Sequence, residues 1–322
     1  MRPAPIPHLV LVNLGTPRAP TPESVRAFLD EFLSDPAVVD LPGWLWRPIL
    51  RGMVLRNRPQ RVARQYQAIW TPAGSPLRVA TERIVTELRH QAAGRFTVSS
   101  AYRYGEPSLA GEIHRLVRDS AGPVIVVPLF PQRTDATTGT AFRRSREAAE
   151  RAGISHRVVD CLVAPDNVGY VDALAARWRE AIAGEPVPPE HLVLSFHGIP
   201  VRYDRREGRE YTSDCETTTR AFLAAIDWPV ECSTLAYQSK FGPEPWLTPA
   251  TARVLVELPR RGVKRVAVIT PGFLTEGLET IEEIGIRGRE SFLKAGGEYL
   301  LRIGAVEDHP AFLRSLASLV SA

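Results

Sequence analysis

Eight short runs rich in Val, Ile and Leu recur along the chain, with turns and stretches of helical spacing between them. The first four are LVLVNLG, FTVSSAYRYG, VIVVPLFPQ and SHRVVDCLV; the second four are LVLSFHG, ECSTLAYQS, VAVITPGF and EYLLRIGAV. Runs that are apolar on both faces and spaced by helices predict parallel strands covered by helices on both sides. The predicted class is α/β.

The two quartets are copies of one another. HLVLVNLGTP (8–17) matches HLVLSFHGIP (191–200), AYRYGEPSL (101–109) matches AYQSKFGPEPWL (236–247), and PLFPQ (128–132) matches TPGFLTE (270–276). A repeat of about 180 residues is a duplicated domain, not a solenoid array. A chain of 322 residues also exceeds the size at which one core usually keeps growing. Two domains are expected, 1–163 and 164–322. The prolines of GEPVPPE (184–190) break the helix YVDALAARWREAIA and mark the linker or its end. EDHPAFLRSLASLV is a last amphipathic helix able to pack back on the first domain.

Composition narrows the partners. With 40 basic against 36 acidic side chains and a net charge of +4, the balance is too even for a nucleic-acid binder and suits an anionic ligand or an acidic membrane surface. Cys161, Cys215 and Cys232 are widely spaced and form no C-x-x-C pair, which argues against a disulfide framework, a zinc site or an iron–sulfur cluster and fits a reducing cytosol. MRPAPIPHLVLVNLG does not read as a signal peptide, and no apolar stretch approaches the ~20 residues that span a bilayer. The expected location is cytoplasmic.

In open parallel sheets, ligands collect at the carboxyl ends of the strands. Two like domains facing each other are expected to enclose one cleft there, with Leu14 on one wall and His197 on the other. The copies differ at this very position: the first has Leu14 where the second has His197. An imidazole can accept a proton or bind a transition metal near neutral pH, although a lone strand-end histidine is more often just hydrogen-bonded to backbone. GFLTEGLETIEEI changes the balance. Glu276, Glu279 and Glu283 recur at spacings of three and four, which predicts one helix face, and the helix starts at the end of a buried strand. Carboxylates leading to a histidine can conduct protons or a divalent ion such as ferrous iron.

SFHGIPVRYDRREGREYTSDCETTT resembles the signature of the ferrochelatases, which insert ferrous iron into a porphyrin to make haem. YQSKFGPEPWLTPAT, GFLTEGLETIEEIGIRGRE, NLGTP, EFLSDPAVVDLP and AGSPL follow the same family's order and spacing. The resemblance covers essentially the whole chain. It implies two similar Rossmann-like, chelatase-type domains with a cleft between them. It further implies that His197 and Glu279 are the catalytic and metal-binding pair, and that Glu276 and Glu283 extend a proton or metal path along a helix often widened into a π turn. Leu14, Tyr203, Gln238, Ser239, Lys240 and Trp246 fall in the family's porphyrin-pocket motifs. LPGWLWRPILRGMVL (41–55) resembles its apolar lip, with Trp44, Leu45 and Trp46, beside Arg47 and Arg51, suited to a membrane interface or to a greasy ligand with propionates.

The substrates implied are protoporphyrin IX and ferrous iron. Tyr at the Leu14 position is typical of relatives that take coproporphyrin III, so Leu14 favours protoporphyrin. No cofactor is expected beyond the substrate iron, and no iron–sulfur cluster; peripheral membrane contact is compatible, and the oligomeric state is left open. Arg209 departs from the usual Asp, and Arg287, four residues beyond Glu283, shortens any acidic row. Three alternatives remain: coproporphyrin III as substrate, a cobalt or sirohydrochlorin chelatase, and a non-catalytic two-domain binding protein. The cobalt-type enzymes usually carry a second ligand histidine where this chain has Gly277, and the binding protein would not need His197 with Glu279.

Overall fold

All eight apolar runs are strands, and they form two four-stranded parallel sheets with one topology. The computed structural model describes residues 5–119 and 121–320. These divide into two units, one running to Val163 and including the residues from Leu316 onward, the other Ala164–Ser315.

Unit 1 contains β1 (His8–Asn13), α1 (Pro22–Leu33), α2 (Gly43–Ile49), α3 (Leu55–Ile69), α4 (Pro76–Ala92), β2 (Thr97–Tyr102), α5 (Leu109–Asp119), β3 (Val124–Pro128), α6 (Thr140–Arg151) and β4 (Val158–Asp160). Unit 2 contains α7 (Val168–Ala183), β5 (His191–His197), α8 (Val201–Arg206), α9 (Glu210–Ile226), β6 (Ser233–Gln238), α10 (Thr251–Arg260), β7 (Arg265–Ile269), α11 (Arg289–Lys294) and β8 (Tyr299–Arg302). A last helix, α12 (Pro310–Ser318), crosses the boundary between them. The sheet orders are β2-β1-β3-β4 and β6-β5-β7-β8.

The burial explains the sequence pattern. Every residue of β1 and β3 is buried, because helices lie on both faces, so the strands read as continuous apolar runs without alternation. Val10, Val12, Ala101, Val124 and Val126 pack with Leu109, Ile113 and Leu116 of α5 in unit 1. Val193, Ala236, Val266 and Val268 pack with Val254, Leu255 and Leu258 of α10 in unit 2. Thr21 and Ser75 start α1 and α4, their hydroxyls accepting the N–H groups of Ser24 and Arg78 at 3.3 Å, each with a proline in the first helical turn.

The two central strands begin alike and end differently. At the start of β1, His8 bonds the hydroxyls of Thr97 at 2.6 Å and Ser99 at 2.7 Å; at the start of β5, His191 bonds Thr234 at 2.8 Å. Burial pushes the His8 imidazole down to about 4, so it is a neutral hydrogen-bonding pin. At the other end, both strands run into glycines that backbone crosses closely. A Cβ on Gly15, whose φ is +114°, would stand 1.8 Å from the Tyr104 carbonyl oxygen, and one on Gly198 would stand 2.8 Å from that of Gln238.

GEPVPPE lies inside unit 2 and does not join the units. Glu185 within it accepts from the Tyr299 hydroxyl at 2.8 Å and pairs with Arg265 at 3.4 Å. The prolines end α7, as the sequence indicated, but α7 belongs to the sheet that follows it. Among the described residues, no helix is long and apolar enough to cross a membrane.

Candidate active site

His197 is the last residue of β5 and stands opposite Gln238 in the parallel register. Its Nδ1 lies 2.6 Å from the carbonyl oxygen of Gly198. A carbonyl only accepts, so Nδ1 carries a proton, and in the neutral ring the lone pair is left on Nε2. No hydrogen bond among the described residues occupies Nε2. The Tyr211 hydroxyl donates to the His197 carbonyl at 2.5 Å, and the Phe273 ring stands 6.2 Å from the imidazole. The strand end is therefore fixed while one ring nitrogen stays available.

Glu279 is the second residue of a π-helical segment, Leu278–Gly288, that follows β7. Such i→i+5 turns are rare and occur often at functional sites. Burial raises the Glu279 carboxyl above the ordinary carboxylate range; His197 beside it opposes that rise, and Glu283 and Glu282 add to it. A carboxyl that keeps its proton more readily than usual, next to an imidazole with an open nitrogen, forms an acid–base pair. Among the described residues, no group of three or more His, Cys, Asp or Glu gathers as a metal site. His197 with Glu279 is a two-residue set.

Of the other two glutamates, only Glu283 shares the helical segment with Glu279. Glu276 precedes the helical segment. Its Oε1 accepts from Arg302 at 2.6 Å and from the Ala305 N–H at 3.0 Å, and its Oε2 from the Thr280 hydroxyl. The expected path residue is thus an anchor for the start of the segment; the i, i+3 spacing misled because residue 276 is not helical. Glu283 does share the segment. Both of its oxygens are engaged by Ser239, one by the N–H at 2.8 Å and the other by the hydroxyl at 2.5 Å. Arg287 turns to Glu282, which accepts from its Nε at 2.8 and 3.0 Å.

Several residues expected to line a porphyrin pocket serve other contacts. Gln238 is only 3% exposed. Its amide donates to the Glu279 carbonyl at 2.7 Å and accepts from the Ser195 hydroxyl at 2.5 Å, so both ends of the side-chain amide are engaged within unit 2. Tyr203 is buried, with the guanidinium carbons of Arg202 and Arg206 at 4.2 and 5.0 Å from its ring centre. Ser239 has φ +65°, an uncommon conformation for a residue with a side chain, and it aims both of its donors at Glu283. Lys240 is exposed and Leu14 and Trp246 are partly so; the Trp246 ring lies against Gly198, 3.2 Å from where a Cβ would be.

The lip divides as well. Trp44 is 79% exposed and Met53 66%, and Leu41, Leu45 and Ile49 are also exposed. Trp46 points inward, its indole N–H donating to the Leu33 carbonyl at 2.7 Å, because α2 must bury one aromatic to dock on the end of α1.

Sequence reading missed two buried polar centres. In unit 2, Ser195 and Thr251 are fully or almost fully buried and their hydroxyl oxygens lie 2.7 Å apart. In unit 1, Asp35 accepts from Arg103, from the Tyr104 hydroxyl at 3.0 Å and from Thr140 at 3.1 Å. The PLFPQ match was the available signal for comparing the two: a π-helical turn, Asp135–Gly139, follows β3 as Leu278–Gly288 follows β7.

Two like parallel α/β units, one with an open histidine at a strand end beside a buried glutamate, give the chain a chelatase-type fold. The fold is similar to that of SirB from Bacillus subtilis with Fe3+, at 15% identity and a TM-score of 0.57 over 98% of this chain and 94% of that one. The sirohydrochlorin chelatase SirB of B. subtilis subspecies spizizenii in complex with cobalt gives 11% identity and a TM-score of 0.53 over 98% and 94%. The family is fixed by sequence: the ferrochelatase model matches residues 8–322. The ferrochelatase of Edwardsiella ictaluri is 42% identical over 98% of this chain and 97% of its own, and that of Pectobacterium atrosepticum 40% identical over 97% and 97%. The chain belongs to the ferrochelatase family, lyases that insert iron into a porphyrin in haem synthesis.

Proposed function

We propose that this chain inserts ferrous iron into protoporphyrin IX, with His197 as the base that takes the two pyrrole protons in turn and Glu279, as carboxylate, as the group that receives each and passes it outward. Metallation requires loss of two pyrrole protons and exposure of nitrogen lone pairs that a flat macrocycle keeps in its plane. A protein that grips and bends the ring draws the strain from remote binding contacts. The open Nε2 of His197 beside Glu279, whose carboxylate burial makes a stronger proton acceptor than usual, carries this reading. The same two side chains offer one nitrogen and one carboxylate oxygen to a ferrous ion. Glu283, held by Ser239, is the next acceptor along the π segment; Glu276 is left out of the path because Arg302 claims it. No resident cofactor takes part.

Leu14, Ser239, Lys240 and Trp246 remain the candidates for ring contact, and Leu14 favours protoporphyrin over coproporphyrin III. The exposed Trp44, Leu45, Ile49 and Met53, with Arg47 and Arg51 beside them, suit peripheral contact with an anionic membrane surface. The protein would then work in the cytoplasm at the membrane face.

The test is anaerobic insertion of ferrous iron into each porphyrin, followed by loss of porphyrin fluorescence. Turnover of protoporphyrin that falls by about 10²-fold or more in His197→Ala, the range expected for a lost general base, with porphyrin binding retained, is the expected result. Unchanged turnover in the variant would overturn the role of His197. A preference for coproporphyrin would remove the argument from Leu14.

A further inference from the structure

We infer that Gln238 is a positioning residue that sets the height of Glu279 relative to His197, through a buried chain of hydrogen bonds running from Thr251 by way of Ser195. The inference rests on the reading of His197 and Glu279 as the reacting pair.

The direction of each bond follows from elementary donor and acceptor rules. The Glu279 backbone carbonyl can only accept, so the Gln238 amide must present its Nε2 hydrogens there, at 2.7 Å. Its Oε1 is thereby turned to Ser195, whose single hydroxyl proton goes to it at 2.5 Å. The Thr251 hydroxyl, 2.7 Å away, then donates to the Ser195 oxygen. Every member is buried: Ser195 0%, Thr251 1% and Gln238 3% exposed. With solvent excluded, reversing any link would leave two acceptors facing each other, so the chain has one arrangement.

The placement of its ends makes the chain a spacer. Ser195 lies two residues before His197 on β5, and the backbone carbonyl of Gln238 accepts the Gly198 N–H at 2.8 Å. Gln238 thus holds a residue on each side of His197, the Ser195 hydroxyl and the Gly198 backbone, and through its side chain also the backbone of Glu279. The next residue repeats the grip one turn on: Ser239, in its left-handed conformation, binds the Glu283 carboxylate. Consecutive residues at the end of β6 therefore fix two positions of the π segment, residues 279 and 283, against the strand that carries His197. Among the described residues, no such chain is found at the matching place of unit 1. Arg103, which follows β2, is tied there to Asp35 and Thr140.

Gln238→Met keeps the length of the side chain and removes both bonds. In steady-state iron insertion by the full-length protein, kcat is expected to fall at least 10-fold while the KM for porphyrin stays within about 2-fold, since only the relative position of two reacting groups changes. Ser195→Ala should lower kcat several-fold by itself and add little on top of Gln238→Met, because both act through one chain. A wild-type kcat in folded Gln238→Met would overturn the inference, as would a raised KM with unchanged kcat, which would make the side chain a ring contact. If Gln238→Met does not fold, Ser195→Ala and Thr251→Val decide: several-fold losses of kcat support the chain, and wild-type values in both refute it. His197→Ala, assayed alongside, separates the two layers. If it retains turnover, the reading of the pair itself is wrong; if it is inactive while Gln238→Met is normal, only the spacer falls.

Discussion

The strand ends of units 1 and 2 start from the same ten-residue pattern, and one neutralises its polar groups where the other leaves them open. After β1 and β2, Asp35 is surrounded by Arg103, Tyr104 and Thr140, and Asp35 and Arg103 are each only 8% exposed at the side chain. The donors of Ala37 and Tyr104 and the charge of Arg103 hold the Asp35 carboxyl below its usual range in spite of burial. After β5 and β6, the polar network is uncharged and points its last donor at a backbone carbonyl, leaving the Glu279 carboxyl raised by burial. A shared scaffold thus carries a closed ion pair in one copy and a poised acid–base pair in the other. The teaching is that chemistry depends here less on which polar residues sit at a strand end than on whether their partners are used up.

The hardest blow to this comparison is an exchange, Leu14→His together with His197→Leu. Turnover should stay down by about 10²-fold or more, because the carboxylate at the matching π turn of unit 1, Asp135, is bound to Arg143. Recovery of activity in the anaerobic assay would mean that the histidine alone suffices. Second, Asp35→Asn should destabilise the protein by roughly 3–5 kcal/mol, since it leaves the Arg103 charge buried without its partner; urea unfolding at neutral pH measures this. A loss below about 1 kcal/mol would show that the pair in unit 1 is not closed.

Third comes pH. His8 titrates at about 4 in the fold against 6.5 when unfolded, so between those values the unfolded chain binds the extra proton and stability rises with pH. The contribution is complete above pH 6.5 and is lost as pH falls toward 4, amounting to roughly 3 kcal/mol at about 1.4 kcal/mol per unit. Urea unfolding at pH 7 and pH 5 should differ less in His8→Gln than in the natural sequence; equal differences would remove His8 from the account. The smallest effect belongs to Leu14→Ala. Removal of a few partly exposed methyl and methylene groups, worth up to about 2 kcal/mol, should raise the porphyrin KM by no more than roughly 30-fold and leave kcat alone, and a large fall in kcat would give Leu14 a part in the chemistry.

The strands were legible because burial on both faces writes itself as continuous Val, Ile and Leu. His197 was legible because the duplication offers its own control at Leu14. The support of the site was not. Gln238 and Glu279 are 41 positions apart, and Asp35 and Arg103 are 68; pairings across such separations leave no periodic trace. Glu276 looked like part of a helical face until the segment proved to begin at Leu278. Trp44 and Trp46 are chemically alike in the sequence and differ only in which side of α2 meets α1.

His8 and His191 pin their sheets from the ends opposite Leu14 and His197. A duplicated ancestor could therefore exchange one terminal side chain without disturbing what holds the strand in register. The far pin leaves the near end free to vary: residues 14 and 197 can differ while each strand keeps its register.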